Sequence, residues 1–279
     1  MIMGFLVANC AGLCYKMADF LRGRCSLLRI LVALKKDEAY AENFMMALLP
    51  RGYEVYIVEG HDVLLKIAEE HHPQVIVFDS DAESFGGIEG LRALKQVPAA
   101  KAAYYIIFSK MSGLEFVKTT MKIGVSGYLY KPITAEGLRE HLYRMLEEVE
   151  QRTGNWREFV RVKPYPFEEA TLELDIPGVE SISGEILDIS LGGVAFRLAR
   201  PERIGAIIGG QTYSSMRISL DEHGSVSLAA TAVLARGNSA AFQFSRIDED
   251  SLRVLCRYIH EKLIRRSSDR PQDECMRTV

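Results

Sequence analysis

The sequence predicts two domains of different class: an α/β domain with a doubly wound parallel sheet, then a six-stranded antiparallel β-barrel with a C-terminal helix. Short apolar runs alternate with helical patterns from residue 28 to residue 146. After residue 150 the apolar runs become short, β-like and separated by turn residues. A length of 279 residues is enough for two domains of ordinary size.

Five strands and five helices alternate in the first domain. The third strand is entirely apolar, as expected for a strand that is covered on both faces. The predicted strands are Leu28–Leu34, Glu54–Val58, Val75–Phe78, Tyr104–Phe108 and Gly127–Tyr130, and the predicted helices are Asp37–Leu49, Val63–Glu70, Ile88–Lys95, Leu114–Ile123 and Ala135–Glu150. This alternation is typical of a parallel sheet with helices on both faces.

Six short β-like runs follow in the second domain, and such a series favours a small antiparallel barrel. They are Ala170–Leu174, Ser183–Asp188, Gly193–Leu198, Tyr213–Ser219, Val226–Ala235 and Ala241–Phe244. An amphipathic helix is predicted after them, because leucine and isoleucine recur at helical spacing from Asp248 to Arg266. We divide the chain into an N-terminal extension (1–26), an α/β domain (27–150), a polar linker (151–161), the barrel with its helix (162–266) and a disordered tail (267–279).

Composition and charge exclude several classes of protein. The net charge is −3, and both halves are nearly balanced, which argues against a DNA-binding surface. No apolar run is long enough for a membrane span. The five cysteines fit no disulfide framework or zinc pattern and indicate reduced thiols in the cytoplasm. We find no nucleophile–base pair, metal cluster or glycine-rich phosphate loop, so we expect no enzyme and no cofactor.

Polar residues end three of the predicted strands, at the edge where doubly wound sheets place their functional crevice. Asp79 ends the third strand, Ser109 ends the fourth, and Lys131 follows the fifth, with Tyr128 three residues before it. These residues and spacings resemble the response-regulator receiver domain, which has a flavodoxin-like (βα)5 fold. The resemblance implies that Asp79 is the phosphorylated aspartate, that Ser109 and Lys131 hold the phosphoryl group, and that Tyr128 is the switching aromatic residue.

The metal-binding positions depart from the pattern of that family. Receiver domains carry two acidic residues after the first strand to hold Mg²⁺, and here Lys35 and Lys36 stand at those positions, followed by Asp37 and Glu38. Two ammonium groups repel a divalent cation, so we expect a pseudo-receiver without a Mg²⁺ site. The two lysines are expected to pair with Asp79 instead. The alternative is a shift of the following helix that lets Asp37 act as a ligand.

A second set of polar residues begins in the linker. Arg157 and Arg161 are four residues apart, and an Asp-x-Ser-x-x-Gly sequence runs from Asp188 to Gly193 between two predicted strands. Arginine presents a planar fork to phosphate and to guanine, and it stacks on bases. The two motifs in this order, followed by β-like runs and a helix, resemble the PilZ domain, a receptor module for cyclic di-GMP.

The resemblance implies a role for each residue of this site. The arginine pair would hold phosphate and base, Asp188 would accept hydrogen bonds from guanine, and Ser190 would offer its hydroxyl to the ligand. Gly192 and Gly193 would let backbone N–H groups approach closely, and glycine at these positions allows a positive φ. Trp156 either stacks on guanine or anchors the linker. The candidate ligand-binding residues are therefore Trp156, Arg157, Arg161, Asp188, Ser190, Gly192 and Gly193.

The leading hypothesis is a cyclic di-GMP sensor. The ligand is expected to order residues 151–161 and to rearrange the barrel against the receiver-like domain. The receiver-like domain is expected to dock a protein partner or to form a homodimer. One alternative is a ligand-independent adaptor for a flagellar, pilus or exopolysaccharide component. Another is a response regulator controlled by phosphorylation.

Overall fold

The computed structural model describes residues 28–35, 38–153, 159–176, 178 and 180–268. These residues form a five-stranded parallel sheet with helices, followed by a closed six-stranded antiparallel barrel and a C-terminal helix. The predicted fold class is therefore confirmed. The predicted N-terminal extension lies outside the described residues, as does most of the predicted tail.

The first domain has the order of elements that the sequence predicts. Its strands are β1 (Arg29–Ala33), β2 (Glu54–Val58), β3 (Val75–Asp79), β4 (Tyr104–Ser109) and β5 (Gly127–Tyr130). Its helices are α1 (Glu38–Leu48), α2 (His61–His71), α3 (Gly87–Gln96), α4 (Leu114–Ile123) and α5 (Ala135–Thr153). The last helix extends three residues beyond the predicted boundary at Glu150, into the segment that we expected to be a linker.

The strands are ordered β2-β1-β3-β4-β5, and every neighbouring pair is parallel. All five residues of β3 are buried, because helices cover both faces of the sheet at its centre. The carboxyl ends of β3, β4 and β5 are adjacent in this order. The sheet therefore brings the residues that end these three strands to one edge.

The second domain closes into a barrel in the order β10-β11-β8-β7-β6-β9. Its strands are β6 (Ala170–Leu174), β7 (Ile182–Ser190), β8 (Gly193–Leu198), β9 (Thr212–Leu220), β10 (Gly224–Arg236) and β11 (Ser239–Ile247). Buried and exposed residues alternate strictly along β6, as expected for a strand with one face in the core. The C-terminal helix α6 (Glu249–Ser268) buries Leu255, Ile259 and Leu263, which lie on one helical face.

Helix α6 also joins the two domains. It packs on β10 of the barrel and on β2 and α1 of the first domain. The guanidinium of Arg253 donates to Glu42 Oε1 at 2.8 Å, and Arg257 lies 3.2 Å from the same oxygen. The N–H of Ile57, on edge strand β2, donates to His260 Nε2 at 3.2 Å. The helix thus covers part of the open edge of the parallel sheet.

None of the described helices is long and apolar enough to cross a membrane.

Candidate functional site

The edge of the parallel sheet brings together the strand-end residues that the sequence singled out. Lys131 Nζ lies 2.5 Å from Asp79 Oδ1, and both side chains are almost completely buried. The backbone N–H of Lys131 donates to the carbonyl of Ser109 at 2.9 Å. Asp79, Ser109 and Lys131 therefore form one pocket, as their positions at the ends of β3, β4 and β5 predict.

Asp81 is the residue of this pocket that the sequence analysis missed. The hydroxyl of Ser109 donates to Asp81 Oδ1 at 2.8 Å, and the N–H of Lys110 donates to Oδ2 at 2.8 Å. Lys131 Nζ is 3.3 Å from the same Oδ2. Burial alone would raise the pKa of Asp81, but these two hydrogen bonds and the charge of Lys131 outweigh it and lower the pKa. The Asp81 carboxylate is therefore ionised. It accepts the hydrogen bonds that the Ser109 hydroxyl and the Lys110 N–H would otherwise offer to an anion in this pocket.

The lysines after β1 take a different part from the expected one. Lys35 is exposed and donates its backbone N–H to Asp79 Oδ2 at 3.2 Å. Its ammonium group makes no ion pair with the described residues, so the expectation that it pairs with Asp79 is wrong. The buried lysine at the end of β5 supplies that charge because its side chain reaches into the pocket, whereas the Lys35 side chain faces solvent. Lys36 and Asp37 lie outside the described residues.

The described residues of the pocket do not fit a divalent cation. Mg²⁺ requires several oxygen ligands in a near-octahedral arrangement. The described residues of the chain include no group of three or more His, Cys, Asp or Glu side chains that could hold a metal ion. Among the described residues, Asp79 and Asp81 supply carboxylates to the pocket, and both form ion pairs with the ammonium of Lys131.

Tyr128 is half-buried beside the pocket, on β5. Its hydroxyl bonds Thr120 Oγ1 at 2.6 Å and donates to the carbonyl of Val117 at 3.2 Å. Both partners lie on α4, so the ring is tied to that helix. Its ring stacks on that of Tyr130, with a centroid distance of 6.1 Å.

The barrel brings the second pair of motifs together. Arg161 Nη1 donates to Asp188 Oδ1 at 2.7 Å, across 27 residues of sequence. The next residue, Val162, exchanges two backbone hydrogen bonds of 2.9 Å with Ile189. The arginine segment therefore lies against the Asp-x-Ser-x-x-Gly turn. Trp156 and Arg157 lie outside the described residues.

The turn between β7 and β8 is held by Ser190. This residue is buried, its hydroxyl donates to the carbonyl of Gly193 at 3.3 Å, and it accepts the N–H of Gly192 at 3.2 Å. Its hydroxyl is therefore engaged inside the turn. The structure assigns Ser190 the task of shaping the turn that carries the neighbouring site residues.

The two glycines of the turn are required by space and not by backbone conformation. Neither Gly192 nor Gly193 has a positive φ, so neither uses the conformational freedom that glycine allows there. A Cβ at Gly193 would lie 2.3 Å from the carbonyl oxygen of Phe242 on β11. A Cβ at Gly192 would lie 2.4 Å from Cδ2 of the Phe159 ring. Both glycines permit a close approach, one of a neighbouring strand and one of the linker.

Small side chains lie beside Asp188 on the outer surface of the barrel. Ala195 on β8 is directly opposite Asp188, and Ala241 on β11 is directly opposite Ala195. Directly opposite residues point to the same face of a sheet. This row of a carboxylate and two partly exposed alanines leaves a shallow surface on which a flat ring can lie next to a hydrogen-bond acceptor.

Comparison with protein families assigns both halves of the chain. Residues 33–143 match the response regulator receiver domain, and residues 156–261 match the PilZ domain. The chain is a receiver domain followed by a PilZ domain. These are typically non-catalytic signalling domains. No curated protein is similar enough to this chain to count as a match.

Three of the solved structures that are similar to this chain each cover less than half of it. The chemotaxis protein CheY4 of Vibrio cholerae is 21% identical, with 43% of this chain and 98% of that chain covered and a TM-score of 0.39. A CheY-like receiver domain protein of Methanospirillum hungatei is 25% identical, with 46% and 99% covered and a TM-score of 0.40. The MrkH–c-di-GMP complex of K. pneumonia is 13% identical, with 40% and 54% covered and a TM-score of 0.35.

Two residues of the receiver and PilZ sites carry no motif that would reveal them. Asp81 lies in the loop after β3 of the receiver domain, where acidic residues are common in any protein. Phe159 lies between the two arginines of the PilZ domain, and its contact with Gly192 depends on the fold. The sequence offers one signal for Phe159: it lies two positions before Arg161, so in an extended segment the two side chains share a face.

Proposed function

We propose that this protein is a cyclic di-GMP receptor that binds its ligand on the PilZ domain. The observation that carries the proposal is the 2.7 Å contact of Arg161 with Asp188, because it unites the two motifs on one barrel surface. Arg161 would contact phosphate and guanine, and Asp188 would accept from the guanine edge beside the alanine row. Arg157 and Trp156 would complete the site from the linker.

The two charged groups of this site are paired with each other. Their side chains are 58% and 27% exposed, so solvent screens the pair and it contributes on the order of 0–1 kcal/mol. A ligand with two phosphates and two guanines offers each group a partner in exchange. The pair is therefore weak enough for the ligand to open or share.

Titration calorimetry with cyclic di-GMP tests the proposal. Arg161→Ala should weaken binding by about tenfold or more, because one bidentate guanine contact contributes about 1–3 kcal/mol. The matched control is Arg217→Ala, an exposed arginine on β9, which lies opposite β8 across the barrel. Binding that is absent in the wild type, or equal in both variants, would refute the proposal and favour the adaptor.

We further propose that the receiver domain is a pseudo-receiver and that cyclic di-GMP is the main input. The support is Asp81, whose carboxylate takes the Ser109 hydroxyl, the Lys110 N–H and part of the Lys131 charge. An incoming phosphoryl group would meet this anion in addition to Asp79. Incubation with a small phosphodonor and Mg²⁺ should give no stoichiometric mass gain on Asp79, and such a gain would refute this part of the proposal.

The relay to a partner would use the contact of α6 with the receiver domain. We propose that cyclic di-GMP changes how the PilZ and receiver domains are held, and that the receiver domain then docks a protein partner. Small-angle scattering with and without ligand tests this step. Identical scattering profiles at saturating ligand would rule out a rearrangement of the domains.

A further inference from the structure

Phe159 lies against the turn that carries the PilZ motif. Its ring occupies the space above Gly192: a Cβ built there would be 2.4 Å from Cδ2, 2.9 Å from Cε2 and 3.3 Å from Cγ. The Phe159 side chain is only 43% exposed, although its segment runs along the surface. The glycine thus provides a seat for the ring, and any other residue at position 192 would displace it.

The chain around Phe159 is extended and its side chains alternate. Val160 and Val162 are buried, whereas Phe159 and Arg161 are exposed, and Val162 pairs with Ile189 through two backbone hydrogen bonds. Successive side chains of an extended segment point to opposite faces, so Phe159 and Arg161 share the outer face. The arginine that reaches Asp188 is therefore two residues away from a ring that is seated on the same turn.

These contacts affect when residues 159–161, called the arginine arm below, become ordered. A segment that orders only on binding loses conformational freedom at that step, and the affinity falls accordingly. Here three contacts hold the segment: the ring on Gly192, the backbone pairing of Val162 and the pairing of Arg161 with Asp188.

We propose that Phe159 is a positioning residue that holds Arg161 over Asp188 before cyclic di-GMP arrives. This proposal rests on the proposed function, because cyclic di-GMP is the ligand whose affinity is measured. Gly192 serves the same task by leaving room for the ring. Phe159 and Gly192 therefore act as one unit, and changing either residue releases the arginine arm.

The first experiment compares Phe159→Ala with Phe159→Leu and with the control Phe167→Ala, whose side chain is completely exposed. Phe159→Ala should weaken cyclic di-GMP binding about tenfold, the equivalent of ordering roughly one residue at the binding step. The leucine variant should retain most of the affinity because it still covers the glycine. The control should bind like the wild type. Unchanged thermal midpoints would show that all variants are folded.

The second experiment tests the coupling with Gly192. Gly192→Ala should also weaken binding about tenfold, because its Cβ displaces the ring. Adding Gly192→Ala to Phe159→Ala should cause little further loss, since the ring is already absent. Effects that multiply would show that the two residues act independently, which would overturn the proposal.

Hydrogen exchange without ligand separates this proposal from the proposed function. The amides of Val162 and Ile189 donate to each other's carbonyl groups, so Phe159→Ala should speed their exchange while the rest of the barrel is unaffected. Unchanged exchange, or unchanged affinity in Phe159→Ala, would overturn the positioning role. A wild type that binds no cyclic di-GMP would refute the proposed function, and the exchange rates would still decide whether Phe159 holds the segment.

Discussion

Acidification is expected to weaken the folded chain through His260, at the contact between the two domains. His260 Nε2 accepts the N–H of Ile57, so this nitrogen must be unprotonated. Burial lowers the pKa of His260 from 6.5 to about 4, although the Glu261 carboxylate acts in the opposite direction. Below pH 6.5 the unfolded chain binds a proton that the folded chain binds only near pH 4. The stability contributed by His260 is therefore lost as the pH falls through this window.

The magnitude follows from these two pKa values. At about pH 5.5 the folded chain should have lost about 1.4 kcal/mol relative to about pH 7.5, and the full loss below pH 4 is about 3 kcal/mol. The loss of stability should not exceed these two values, because the His260 side chain is half-buried and solvent screens part of its charge.

The assay is urea unfolding of the wild type and His260→Gln at both pH values. Glutamine can still accept the N–H of Ile57 but does not titrate in this range. The wild type should lose about 1 kcal/mol more stability than the variant on acidification. Carboxylates with lowered pKa, such as Asp81 and Glu168, remain ionised at about pH 5.5 and affect both proteins equally. Equal losses in the two proteins would refute this account of His260.

Three further predictions concern charged groups of the two domains. Asp188→Asn should weaken cyclic di-GMP binding at least about tenfold in calorimetry. The free energy of unfolding should change by less than about 1 kcal/mol, because the pairing of Asp188 with Arg161 is partly exposed to solvent. A large loss of stability would contradict this. Asp81→Asn should lower stability by about 1–2 kcal/mol at neutral pH. Because the pKa of Asp81 is lowered, this difference should be lost only as the pH falls through the acid range in which the Asp81 carboxylate becomes protonated; a difference that persists in acid would contradict it. Lys262→Met should lower the free energy of unfolding, measured in urea, by about 3–5 kcal/mol, because it leaves the buried carboxylate of Glu168 without its cation. A loss below about 1 kcal/mol would contradict this.

The receiver fold and its pocket were predictable because both depend on local pattern. Apolar strands alternating with amphipathic helices determine a doubly wound sheet, and its topology brings the ends of β3, β4 and β5 together. Asp79, Ser109 and Lys131 could therefore be placed in one pocket from sequence alone. Asp81 could not, because its role depends on which donors its carboxylate faces in the loop after β3, and no periodicity encodes that direction.

The PilZ site was predictable as a set of residues but not as a set of roles. Spacing identified Arg161 and Asp188, and the structure pairs them. Ser190 has the same appearance in sequence whether its hydroxyl faces a ligand or its own turn, and only the buried geometry assigns it to the turn. The reason for glycine at position 192 is equally hidden, because it depends on a ring that lies 33 residues earlier in the chain.

The polar contacts between the domains are weak enough for a ligand to reverse. The ion pairs of Glu42 with Arg253 and Arg257 are partly exposed, and pairs of this kind contribute about 0–1 kcal/mol each. The hydrogen bond of Ile57 to His260 contributes about 1 kcal/mol. A ligand present at 100 times its dissociation constant, and bound by only one arrangement of the domains, shifts the balance by about 2.7 kcal/mol, which is comparable to these contacts together. Cyclic di-GMP could therefore release α6 from the receiver domain only if the released arrangement binds the ligand much more tightly. Since Phe159 already seats Arg161 on the turn, that difference in affinity would have to come from Arg157 and the rest of the linker between α5 and the barrel.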